Sequence, residues 1–227
     1  MPEGTPSCLK HPLTFSTTRF PTADFDSAIA FAKTFTDVVI GTLIGGQSTF
    51  ATTNDDGYVP LIGSIIGMES EQVGYFRVVG GMNPSALPFL TGGAGAFAYS
   101  YLQQNVIVPG SCPNAKDINV PILDPLMVET SMIKPADQMI TFSYMGAAPT
   151  SGMRLTYVNQ QNKPIVTEIM NAKTANGKTT FQANFPYTEN LLNSLTIAAV
   201  TKSAGPFSSV ADVADAAMYG PGIIEVM

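Results

Sequence analysis

Apolar residues recur at spacings of three and four through the first half of the chain, and near every second position through the second half. "FPTADFDSAIAFAKTFTDVVIGTLIGGQSTFATTNDDG" offers Thr22 or Asp24 as a helix N-cap, then a long run of Ala, Phe, Val, Ile and Leu that ends in the turn signal "NDDG". A second helix is expected over "YVPLIGSIIGMESEQVGYFRVVGG", with Pro60 in its opening turn and the Gly80-Gly81 pair as its stop. Its stripe is Ile62, Ile65, Ile66, Val73 and Phe76, and Glu69 and Gln72 fall on it, so Glu69 should point inward. Glu71 and Arg77 sit off that stripe and are expected to be solvated. The second part of "SALPFLTGGAGAFAYSYLQQNVIVPG" reads as a shorter helix, with two exposed Gln residues, before Pro109 and Gly110 close the helical half.

The period then changes. "QMITFSYMG", "GMRLTYVNQ", "KPIVTEIMN", "KTTFQANFP" and "SLTIAAVTK" are short, rich in β-branched and aromatic residues, and separated by turn chemistry. Asn176-Gly177 between two of them is a hairpin signal. Strands at this spacing predict a small antiparallel β-sandwich, to which "LMVETSMIK" adds another strand. "SSVADVADAAMYG" reads as an amphipathic helix, and "GIIEVM" as either an edge strand or an anchor. The fold class is therefore α+β.

Composition narrows the function. A chain of 227 residues suits one large or two modest domains, and two is the expectation. Only 12% of residues are charged against 45% hydrophobic, the balance of a secreted, extracellular protein. The net charge of -6, with its eleven basic residues scattered, excludes a phosphate-backbone footprint and with it nucleic acid. Cys8 and Cys112 each sit in a Pro-rich setting, for which a disulfide is the simplest reading and two unpaired thiols the alternative. "MPEGTPSCLKHPL" lacks the apolar stretch of a secretory signal, and Gly, Thr, Asp and Gln interrupt every candidate membrane span.

Catalytic motifs are missing from the sequence. It contains neither a Gly-x-Ser-x-Gly elbow nor a phosphate-binding Gly-Lys-Ser/Thr loop, and "LTGGAGAF" reads as close packing through small residues. A glycosidase pairing Glu69 with Glu129, Glu168 or Glu189 would want sugar-stacking aromatics, and the chain has no Trp. Glu69 and Gln72 have the i, i+3 spacing by which a Glu-x-x-His places two metal ligands on one helix face, with Gln where the imidazole belongs.

The stretches "SCLKHPLTFSTT", "DSAIAFAKTFTDVVIGTLIG", "SIIGMESEQVGYFRVV" and "VPGSCP" resemble the secreted fungal ferritin-like proteins of the sexual-development and stress-response kind, distantly similar to plant desiccation-related proteins. The resemblance covers roughly residues 8–113 and implies a truncated helix bundle with a degenerate metal motif over residues 1–113, while the strand pattern makes 114–227 a β-sandwich domain with a C-terminal helix and tail. Where the family offers an inward Glu, this chain has Thr36 or Asp37; its Glu-x-x-His survives only as Glu69, and its first two helices have no counterpart before Cys8. The lone His11 is expected on the surface.

The reading is a structural or interaction protein of the cell surface or of a stress and development programme, with no catalysis and no cofactor, acting on a cell-wall or protein partner. Glu69 should be buried and hydrogen-bonded by neighbours such as Thr36. Two long apolar helices cannot bury themselves against one short helix and a sandwich, so a homodimer through the helical region is expected, the competing solution being a monomer whose sandwich, C-terminal "VADVADAAMYG" helix and "GIIEVM" tail fold back over the helices. The alternative is a di-iron or di-manganese carboxylate protein that completes its site across that dimer, through Asp37 and Glu69 of each chain.

Overall fold

The computed structural model describes residues 17–85, 89–113 and 115–226. Helix α1 (Phe25–Thr52) begins at Asp24, because a capping box forms there: the Ser27 amide donates to Asp24 Oδ1 and the Asp24 amide donates to Ser27 Oγ. Helix α2 (Val59–Val79) carries Pro60 in its first turn and ends at Gly80, followed by Gly81 at φ +72°. Gln47 donates to Val59 O beside the connecting turn, while Asp37 meets Arg77 far from it, so the two helices lie antiparallel. Helix α3 is Gly95–Asn105.

By length and composition alone α1 is long and apolar enough to cross a membrane, which corrects the view that its polar residues interrupt it; a third of its most apolar 18-residue stretch is buried. The small-residue segment before α3 packs as expected. Gly93 N–H donates to Gly41 O at 2.7 Å, and a Cβ on Gly41 would lie 2.7 Å from Thr91 O, so α1 meets this segment backbone to backbone. Thr91 Oγ1 in turn donates to Leu195 O and accepts from the Gln160 amide. Gln104 is half-buried rather than exposed, since its amide donates to Leu123 O and Gly220 O.

Strands β1 (Met127–Val128), β2 (Gln138–Met145), β5 (Met170–Ala175) and β6 (Lys178–Phe185) form one antiparallel sheet in the order β1-β2-β6-β5. Strands β3 (Arg154–Asn159), β4 (Ile165–Thr167), β7 (Ser194–Thr201) and β8 (Ala217–Val226) form a second, in the order β4-β3-β7-β8. Asn176 (φ +52°) and Gly177 (φ +77°) make the two-residue turn between β5 and β6. Residues 222–226 of the tail belong to β8 and pair with β7, which decides the open choice in favour of an edge strand. Short helices α4 (Tyr187–Asn190) and α5 (Val210–Ala216) flank β7.

Two cores follow from this arrangement. Phe142, Tyr144, Phe181 and Phe185 of one sheet meet Leu155, Tyr157, Val200 and Ile224 of the other. On the opposite face of the second sheet, Leu195 and Ile197 meet Val38 of α1 and Phe97 and Tyr101 of α3. Strand β7 is therefore buried on both faces, which is why its middle, "IAAV", runs apolar without alternation. The chain is a mixed α+β protein with helices and two antiparallel sheets.

Candidate functional site

Four charged side chains meet where the helix pair rests on the second sheet. Lys33 and Asp37 stand one turn apart on α1, Arg77 comes from the last turn of α2, and Glu225 from the end of β8. Arg77 Nη2 donates to Asp37 Oδ2 at 3.1 Å and to Ser194 Oγ at 2.9 Å. Lys33 Nζ lies 2.8 Å from Glu225 Oε2, an ion pair without a well-aligned hydrogen bond. Asp37 and Arg77 are each 5% exposed, and Lys33 is buried as well.

Two cations and two anions make the cluster neutral overall, which lets it persist out of water. The balance is uneven within it. Burial, and then the neighbouring Glu225 carboxylate, push the Asp37 carboxyl up to about 6, against the opposing pull of Arg77 and Lys33. Burial and the same Glu225 raise the Tyr101 hydroxyl to about 12.

A cavity of about 380 Å³ opens beside the pair, with Asp37 and Arg77 in its lining, Ile40, Val73 and Phe89 as apolar walls, and the exposed Glu71 at its rim. The carboxylate already faces a guanidinium, with an ammonium one turn away on the same helix, so a metal ion would compete with two resident cations. Among the described residues no group of three or more His, Cys, Asp and Glu side chains is placed to hold a metal.

Several expectations need correction. Arg77 is buried, not solvated, because it lies four residues beyond Val73 on the packed face of α2. Glu69 is half-buried rather than buried, and among the described residues no hydrogen bond or ion pair joins it to Thr36 or Asp37. Among the described residues of one chain, no hydrogen bond or ion pair links Asp37 to Glu69; Asp37 is bonded to Arg77 instead. Gln72 is exposed. Cys112 is half-buried and unpaired among the described residues, while its expected partner Cys8 lies outside them, as does His11. Lys33, Ser194 and Glu225 were not anticipated. The available signal was Lys33 and Asp37 at i, i+4 within a helix otherwise almost free of charge.

The second feature is an open face on the helix pair. Along α2, Leu61 (57% exposed), Ile65, Met68 (53%), Gln72, Tyr75 (66%) and Val79 (38%) follow one another at spacings of four and three on the side turned away from the packed face. Beside them runs a groove of about 380 Å³ between α1 and α2, lined by Phe20, Ala28, Phe31, Phe35, Gln72 and Phe76. Phe31 stacks on Phe35 with ring centres 6.0 Å apart, and Phe20 meets Phe31 edge-on at 5.9 Å. Comparison with protein-family models and with curated proteins returns no match.

Proposed function

We propose that this is a secreted structural or interaction protein, without catalysis, that works by presenting the open face of α1 and α2 to another protein surface. The observation that carries the reading is the exposed apolar stripe on α2 beside an aromatic groove, since contiguous apolar patches of this kind mark interaction sites. The helix pair is taken as part of a ferritin-like bundle and the two sheets as a β-sandwich, with Cys8 and Cys112 joined. In this reading α1 is a core helix rather than a membrane span, because its Lys33 and Asp37 are committed to buried ion pairs. Secretion rests on the low charge content and on the two Pro-rich cysteine settings. A stress- or development-linked role at the cell surface, with a cell-wall or protein partner, follows from the sequence resemblance.

Leu61→Glu/Tyr75→Glu is the test. Both residues are exposed, so the far-UV spectrum should stay that of the folded natural chain while association, followed by light scattering, is lost. Association unchanged in that variant would remove the face from the account.

A further inference from the structure

The α2 stripe is its own mirror along the helix. Leu61 and Val79, Ile65 and Tyr75, and Met68 and Gln72 stand at equal distances either side of Ser70. Spacings of four and three define a seam for packing against another helix at a small crossing angle. A seam with this symmetry meets an antiparallel copy of itself without a change of register, which is what a two-fold interface requires.

We infer that the partner on this face is a second copy of the chain, paired antiparallel about Ser70, with Leu61 against Val79, Ile65 against Tyr75 and Met68 against Gln72 of the two copies. The inference rests on the reading of this face as an interaction surface, and names its occupant. The area is adequate. Two adjacent helices about 10 Å wide, over the roughly 30 Å length of α2, present a footprint of about 600 Å², and the corrugated accessible area over it approaches the ~800 Å² per partner of a standard interface. The groove holding Phe31, Phe35 and Phe76 lies beside the stripe and is covered in the same event, so the two helix pairs close into a four-helix arrangement.

Charge works against the pairing in one respect. Glu69 and Glu71 flank the stripe, and both copies of each come near the two-fold axis. Added salt screens that repulsion, so association should be tighter at 0.5 M than at 0.05 M salt.

Cysteine crosslinking reads the register. In the antiparallel pair, position 61 of one copy faces position 79 of the other, whereas the two copies of position 61 are about 27 Å apart, eighteen residues at 1.5 Å each. Leu61→Cys/Val79→Cys, oxidised in a glutathione buffer beside the unsubstituted chain, should give a covalent dimer, and each single variant should give none above that control. A crosslink in Leu61→Cys alone would mean parallel pairing and overturn the inference. No crosslink in any variant would overturn it too, whether the chain is dimeric through another surface or monomeric. The Leu61→Glu/Tyr75→Glu comparison separately reports whether the face is used at all.

Discussion

Arg77→Met is the sharpest perturbation of the buried cluster. The guanidinium, 5% exposed, donates to Asp37 Oδ2 at 3.1 Å and to Ser194 Oγ at 2.9 Å. Met preserves helix propensity and most of the apolar stem, so the change isolates the charge. It leaves Asp37 buried beside Glu225 with Lys33 as the nearest cation, and removing one partner of a buried pair costs about 3–5 kcal/mol. Because the stranded carboxyl can take up a proton, the loss at pH 5 should be smaller than at pH 7. Asp37→Asn/Arg77→Met removes the stranded charge, and should be more stable than Arg77→Met alone by about 1–3 kcal/mol. Urea unfolding of the natural chain, Arg77→Met, Asp37→Asn and the double variant, followed by far-UV circular dichroism, gives the four values of the cycle. An Arg77→Met chain within 1 kcal/mol of the natural one at pH 7, or a double variant as unstable as the two single losses added, would refute the reasoning.

Three further outcomes are expected. The native state holds the Asp37 proton more tightly than the unfolded chain, since its carboxyl titrates near 6 instead of 3.8; stability should therefore rise by roughly 1 kcal/mol between pH 7 and pH 5. Below that window the trend should reverse, as Asp24, Glu129 and Asp212, all held below the usual carboxylate range by hydrogen bonds, take up protons; urea midpoints across pH 3–8 check both limbs. Gly41→Ala should destabilise by about 1–3 kcal/mol despite the better helix propensity of Ala, because the new Cβ meets backbone; unfolding as fast and as late as the natural chain would contradict the packing described. Glu69→Gln, half-exposed and joined to neither Thr36 nor Asp37, should shift stability by no more than about 0.5 kcal/mol in the same urea assay.

Local rules carried most of the element boundaries. Pro60, the Gly80-Gly81 stop and the Asn176-Gly177 turn each act through a few neighbouring residues and lie where the pattern put them, and of the two caps it offered, Thr22 and Asp24, the helix uses Asp24. The site was far less legible. Placing Arg77 depended on a seam offset by one residue position on the helical wheel, and Ser194 and Glu225 reach the cluster from more than 100 residues away in sequence. No spacing rule connects α1 to β8. Glu69 illustrates the opposite error: it lies beside the packed face of α2, but the surface that would bury it completely is not supplied by the described residues.

Sedimentation equilibrium from about 1 to 100 µM tests the central claim, that the open helix face joins two copies of this chain. The account predicts reversible association to a species of twice 24.0 kDa, strengthened by salt and abolished by Leu61→Glu/Tyr75→Glu. A single species of 24.0 kDa across the whole range and at both salt concentrations would contradict it.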